Sequence, residues 1–212
     1  MIQGKGEVSV KKPIKLYIDV DNTIYNSARV VVEMLNERYG CDVNYEDIKG
    51  YDFKDKFPML KENEVMNLFD DPTFYGRKNR DIFSAFFYML YFFTYKNCRI
   101  NFVTIGTPTN LINKLKWINE VFNKLGIDYN EFYGNYNNDN DKRFVDMSGG
   151  IFIDDNVECL RKSNASVKIL LKNNSDNRWN KVEPNDELYI ANDWDDVYEI
   201  IKFFCDNRWM IE

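Results

Sequence analysis

Histidine is absent from all 212 residues, and that absence removes more chemistry than any other. It excludes Ser-His-Asp and Cys-His triads, the HExxH zinc site and every imidazole general base. Catalysis by this chain has to run on carboxylates, lysine, hydroxyls and metal. Paired cysteine motifs are missing as well. Cys41, Cys98, Cys159 and Cys205 are widely spaced and form no CxxC, so neither a zinc knuckle nor a disulfide framework is indicated. Positive charge is not in excess: the formal net charge is −6, which offers no broad basic surface, and duplex nucleic acid is not an expected partner. No apolar run reaches the ~20 residues of a membrane-spanning helix. The most lipid-like stretch, IFSAFFYMLYFFTY from Ile82 to Tyr95, has 14 residues and reads as a buried helix. The opening MIQGKGEVSVKKP lacks the apolar core of a signal peptide. Together with unpaired cysteines, this sets the expectation of a reducing, cytoplasmic protein without membrane contact.

What is present is an ordinary globular composition, 44% hydrophobic and 29% charged, with an aromatic share of 16% high enough that large rings must fill a core or line a pocket. The length suits one domain carrying a smaller insertion.

Short apolar runs alternate with helical patterns. Ile14 to Val20, Arg99 to Thr104, Gly150 to Ile153, Ser166 to Leu171 and Leu188 to Ile190 read as strands. Between and after them lie helical stretches: one following Ser27, a candidate cap, and stopped by Gly40; the aromatic one from Asn79 to Lys96; a long one capped by Thr109 or Asn110 and running to Gly126; and Trp194 to Phe204. In the long helix Leu111, Ile112, Leu115, Ile118, Val121, Phe122 and Leu125 make an apolar stripe. Alternation of this kind predicts an α/β, Rossmann-like parallel sheet with helices on both faces. In such sheets ligands bind beyond the carboxyl ends of the strands.

Three of those ends carry polar groups: Asp19 and Asp21, Thr104, and Asp154 with Asp155. Brought side by side, four carboxylates repel one another unless a cation neutralises them, and magnesium, which prefers hard oxygen ligands, is the natural occupant. One carboxylate oxygen, that of Asp19, is then placed to attack phosphorus. If the strand continues, Asp19 and Asp21 point the same way. If it stops, Asp21 turns toward the leaving oxygen as proton donor, with its backbone carbonyl still able to bind the ion. Thr104 supplies a hydroxyl to a phosphoryl oxygen and Lys142 offsets charge on the equatorial oxygens. An EF-hand reading of the same acids fails, since positions six and twelve counted from Asp19 are Ile24 and Val30 rather than Gly and Glu.

DVDNT at Asp19 to Thr23, the strand ending in Thr104, Lys142, and IDDN at Ile153 to Asn156 resemble, in that order, the four motifs of the haloacid dehalogenase superfamily of aspartate-nucleophile phosphatases. The resemblance implies an aspartyl-phosphate intermediate on Asp19, acid-base work by Asp21, and magnesium held by Asp19, the Asp21 carbonyl and the pair Asp154 and Asp155, with Asp155 as the direct ligand. Within the superfamily the chain is most similar to the 5'(3')-deoxyribonucleotidases. Residues 27–96 stand where their small helical cap is inserted, leaving 1–26 and 97–212 as the core domain. DPTFYG, Asp71 to Gly76, resembles the cap segment whose aromatic pair faces the base, which implies Phe74 and Tyr75 as substrate contacts; aromatic pairs in general more often fill a core. NKLKWINEVFNKLG (Asn113 to Gly126), NRW (Asn177 to Trp179) and NDWDDVYEI (Asn192 to Ile200) resemble further parts of that family. The chain departs from the family in two places. Asn22 and Thr23 follow Asp21 where DMDG is usual, and Ile105, Gly106 and Thr107 separate Thr104 from Pro108, which makes Thr107 a second candidate for the phosphate.

The resulting expectation is a magnesium-dependent hydrolase of nucleoside monophosphates, with a small phosphomonoester as its partner and a homodimer left open. The same chemistry on a sugar phosphate or a nucleic-acid 3'-phosphate is the nearest alternative. A phospho-accepting signalling module is the more distant one, because receiver domains place their acidic pair first and their lysine last.

Overall fold

The computed structural model describes residues 12–50, 53–77, 82–136, 141–173 and 180–207, and of 82–84 the backbone only. The NRW stretch at 177–179 and most of the polar loop before Lys142 lie outside them.

Six strands form one sheet: β1 (Ile14–Ile18), β2 (Cys98–Ile105), β3 (Glu131–Asn135), β4 (Gly150–Asp154), β5 (Val167–Leu171) and β6 (Tyr189–Ala191). All neighbours are parallel, in the order β3-β2-β1-β4-β5-β6. The winding reverses between β1 and β4, and that switch point is where an open parallel sheet leaves a crevice at its carboxyl edge. β1 is buried at every position but Lys15, and β4 at all five, as expected of central parallel strands covered on both faces. Because side chains alternate, Leu16 and Ile18 join one apolar cluster and Tyr17 the other.

The first cluster gathers α1 (Ser27–Tyr39), α3 (Ile82–Tyr95), the C-terminal half of α4 (Pro108–Leu125) and α6 (Trp194–Asp206), together with Phe53, Phe57, Leu68 and Phe74 from the segment that follows α1. That segment also holds the short α2 (Glu64–Phe69). The opposite face is covered by α5 (Val157–Lys162) with Val145 and Met147. Helix ends follow from local chemistry. Gly40 and Gly126 both take left-handed φ near +65°, the conformation a helix needs to stop and that L side chains resist.

Several boundaries differ from the sequence reading. α1 is capped by Asn26, whose side chain accepts from the Arg29 amide at 3.2 Å, and Ser27 is its first residue. α4 is capped by Thr107, not Thr109 or Asn110, because Pro108 with its fixed φ takes the first helical position. The buried stripe of α4 is Asn110, Lys114, Ile118 and Phe122, while Ile112 and Leu125 are exposed. α3 is not buried all round: Ala85, Phe86, Met89 and Phe92 pack inward, whereas Phe87 and Tyr95 face solvent. β3 and α5 had no counterpart among the predicted elements.

Candidate active site

The chain leaves β1 at Ile18, but its ladder runs one step further: the Asp19 amide donates to the Ile153 carbonyl at 3.0 Å, so β4 fixes the backbone of the first acid. A tight turn follows. The Val20 carbonyl accepts from the amides of Ile24 and Tyr25, both at 3.0 Å, and Asn22 takes φ +54°. The resembled family usually has glycine there. Asparagine is among the few other residues that adopt this backbone readily, and here its side chain has further work, accepting from the Ala28 amide at 2.9 Å at the start of α1. Trp194 donates its indole N–H to the Thr23 carbonyl at 2.9 Å, and the Asn173 amide group donates to the Asn22 carbonyl. Both arrive from the C-terminal half of the chain and pin the turn.

The turn sends the two acids to different partners. Asp19 meets Asp154 and Asp155; one carboxylate oxygen of each lies within 4.8 Å of the others, and all three residues are buried. Lys142 sits beside them, its ammonium 2.6 Å from Asp19 Oδ1 and 2.6 Å from Asp154 Oδ2. Asp154 Oδ1 in turn accepts from the Asn156 amide at 2.8 Å, so both its oxygens are engaged. Burial pushes the Asp154 carboxyl well above the usual carboxylate range against the pull of Lys142, and Asp19 adds to the rise. Burial works to lower the Lys142 ammonium, but Asp154 and Asp19 outweigh it and raise the group. Three buried carboxylates facing a single lysine are a donor set suited to a hard divalent cation. Asp19, Asp154 and Asp155 would hold it; the Asp21 carboxylate is not part of this cluster.

Asp21 belongs to a second set. Its Oδ2 lies 2.5 Å from the Lys114 ammonium and its Oδ1 accepts from the Tyr75 hydroxyl at 3.0 Å. Asn110, 2% exposed, donates to the Tyr75 oxygen at 2.9 Å and to the Phe69 carbonyl at 2.9 Å. The Thr104 hydroxyl, at the end of β2, accepts from Lys114 at 2.8 Å, which leaves its proton to donate. The Thr107 hydroxyl is committed elsewhere. It caps α4 and donates to Asp70, so Thr104 is the better placed of the two for a phosphoryl oxygen.

Asp19, Asp21, Thr104, Asn110, Lys142, Asp154 and Asp155 line a cavity of about 560 Å³, whose lining also mixes apolar Phe53, Leu60, Val65, Met66 and Phe69 with polar Lys54, Lys61, Glu62, Asn63 and Glu64. Phe74 and Tyr75, predicted at the substrate, are not among its described lining residues. Phe74 is fully buried and packs with Tyr25, Phe69 and Tyr75, and Tyr75 reaches the site only through its hydroxyl. They pack behind the lining, and the cavity surface on that side comes from Phe53, Lys54, residues 60–66 and Phe69. Cys159 lines the cavity too, and burial, with Asp154 beside it, raises its thiol.

Sequence reading missed Lys114, Asn110 and Asp70. The first two carried a signal: successive steps of four back from Phe122 pass Ile118 and reach Lys114 and then Asn110, so the buried face of α4 starts polar where it passes under the strand ends.

No protein-family model matches the chain, and no curated protein sequence matches it significantly. Solved structures do. A Burkholderia xenovorans protein assigned as a haloacid dehalogenase-like hydrolase aligns over 95% of this chain and 100% of its own, at 11% identity and a TM-score of 0.51. A Clostridium difficile protein assigned as a phosphatase aligns over 90% of this chain and 99% of its own, at 10% identity and a TM-score of 0.51. At such identity the likeness is one of architecture: the six-stranded parallel sheet flanked by helices is the fold of the haloacid dehalogenase-like hydrolases.

Proposed function

We propose that this chain is a divalent-cation-dependent phosphomonoesterase acting on nucleoside monophosphates, with Asp19 as nucleophile. The observation that carries the reading is the meeting of Asp19, Asp154 and Asp155 at adjacent strand ends with Lys142 against them, in a cavity whose lining also holds Phe53, Leu60, Val65, Met66 and Phe69. A magnesium ion held by the three aspartates would supply charge neutralisation at the phosphoryl oxygens.

This chain's own residues supply the rest. Asp19 Oδ1 is held by Lys142, and Oδ2 has no protein partner among the described residues. A carboxylate oxygen of Asp19 bonds to phosphorus as the ester P–O bond breaks, and the departing oxygen takes a proton from Oδ1 of Asp21, which enters the reaction as the carboxylic acid with Oδ2 still accepting from Lys114. Water then attacks phosphorus of the aspartyl phosphate and gives its proton back to Asp21; inorganic phosphate leaves and Asp19 is restored. Lys142 and the Thr104 hydroxyl stabilise charge on the transferring group. Phe53, Leu60, Val65, Met66 and Phe69 in the lining support a substrate with a flat apolar portion, and the cavity volume falls within the range of small-ligand sites.

The test is phosphate release from a panel of nucleoside 5'- and 3'-monophosphates and sugar phosphates, with magnesium and with excess chelator. Release is expected only with the metal, fastest on a nucleotide, and reduced by roughly 10⁴-fold or more in Asp19→Asn. A preference for sugar phosphates would move the substrate assignment. Activity that persists in Asp19→Asn would overturn the mechanism.

A further inference from the structure

Lys114 is wholly buried, on the inner face of α4, and its ammonium has three acceptors: Asp21 Oδ2 at 2.5 Å, Thr104 Oγ1 at 2.8 Å and the Ile105 carbonyl at 2.7 Å. An ammonium has three protons, so the set is complete, as a buried cation requires. Lys114 does not line the cavity among the described residues, but all three of its partners do. It therefore stands one layer behind the lining and touches the site from there.

We infer that Lys114 is a positioning residue, joining the proton-transfer group Asp21 to the phosphate-facing hydroxyl of Thr104 through a single buried ammonium. The inference rests on the phosphatase reading above. Asp21 lies within the turn after β1, and Thr104 is next to last in β2, beyond the Ile18–Phe102 pair where the β1–β2 ladder ends, so no backbone ladder sets one against the other at that depth; the lysine does. By accepting from Lys114, Thr104 must aim its own proton elsewhere. By engaging Oδ2 while Tyr75 engages Oδ1, Lys114 fixes the plane of the Asp21 carboxylate. A shift of either group by an ångström is enough to cost a large factor in rate without weakening substrate binding much.

The experiment is a double-mutant cycle on the full chain, reading phosphate release from a nucleoside monophosphate with magnesium present and thermal melting alongside. Lys114→Met and Lys114→Gln are each compared with Asp21→Asn and with the two double variants. The expected result is a kcat lowered by about 10²-fold in Lys114→Met, a KM within a factor of about three, and double variants slower than Asp21→Asn by well under that factor, because the share of the loss that acts through Asp21 is already gone and only the Thr104 contact remains to lose. Losses that multiply in the double variants, or a Lys114→Met chain with unreduced kcat, would overturn the assignment alone. Failure of both single variants to fold would assign Lys114 to the fold and likewise overturn it. A wild-type chain releasing no phosphate from any ester would bring down the phosphatase reading and this inference with it.

Discussion

Single residues here do two things at once, and Glu64 is the clearest case for stability. At the start of α2 its carboxylate accepts from the Tyr39 hydroxyl at 2.5 Å, the Arg38 guanidinium at 2.7 Å and the Lys61 amide at 3.0 Å. Those bonds, the Tyr39 one foremost, pull its pKa from 4.5 down to about 2. A carboxyl lowered on folding adds stability that is fully present above its unfolded value and disappears as pH falls through its folded one. Glu64→Gln is therefore expected to melt lower at neutral pH, by on the order of 1–2 kcal/mol. The gap between variant and wild type should close between pH 4.5 and about 2. Melting curves across that range decide it, and a gap that ignores pH would show the carboxylate is not what anchors α2. Among the site residues, Asp19, Asp154 and Asp155 were legible because each follows an apolar strand. The fate of Asp21 was not, since whether a strand continues two residues or turns depends on Asn22 adopting a left-handed backbone and on Trp194 arriving from far along the chain.

At the scale of elements, the inner face of α4 was legible in its second half, at Ile118 and Phe122, and not in its first. Counting apolar residues favoured Leu111, Ile112 and Leu115; the observed inner stripe begins with Asn110 and Lys114, whose polar groups are satisfied by strand ends and by the segment between α1 and α3, which local periodicity does not register. Its N-terminus is also the seam to the residues around α2: Thr107 donates to Asp70, Asn110 to the Phe69 carbonyl, and Asn113 to the Asp70 carbonyl at 3.1 Å. Thr107→Ala removes both the helix cap and the Asp70 contact and is expected to cost about 2 kcal/mol, whereas Thr107→Ser keeps a hydroxyl and should recover most of it. Chemical denaturation of the two variants checks this; equal losses would mean the methyl group, not the hydroxyl, matters. β3 was missed because EFYGN is a half-exposed edge strand interrupted by glycine, which weakens any alternating pattern.

For the whole molecule, the sheet was legible from alternation of strands and helices, and its order was not. Nothing in the local sequence says that β1 pairs with β4; the pairing follows from the reversal of winding after β3 reaches the edge. Packing ties the parts together. Tyr25, Phe74, Tyr75, Trp117, Phe86 and Phe122 form a run of ring contacts from the turn after β1 through the segment between α1 and α3 to α3 and α4. With one apolar cluster spanning that segment and the sheet, unfolding is expected to be a single transition in which tryptophan fluorescence and far-ultraviolet dichroism coincide. An early separate step would mean the segment around α2 melts by itself.

The pairing of Ile18 with Ile153 also has a bearing on how the protein is made. While the ribosome is still delivering β2 and α4, the nascent chain has Asp19 but neither of the acids beside it, and the central strand has one edge open. Only when β4 threads into that gap late in translation do Asp154 and Asp155 arrive, so the three-aspartate cluster cannot assemble in a half-made polypeptide.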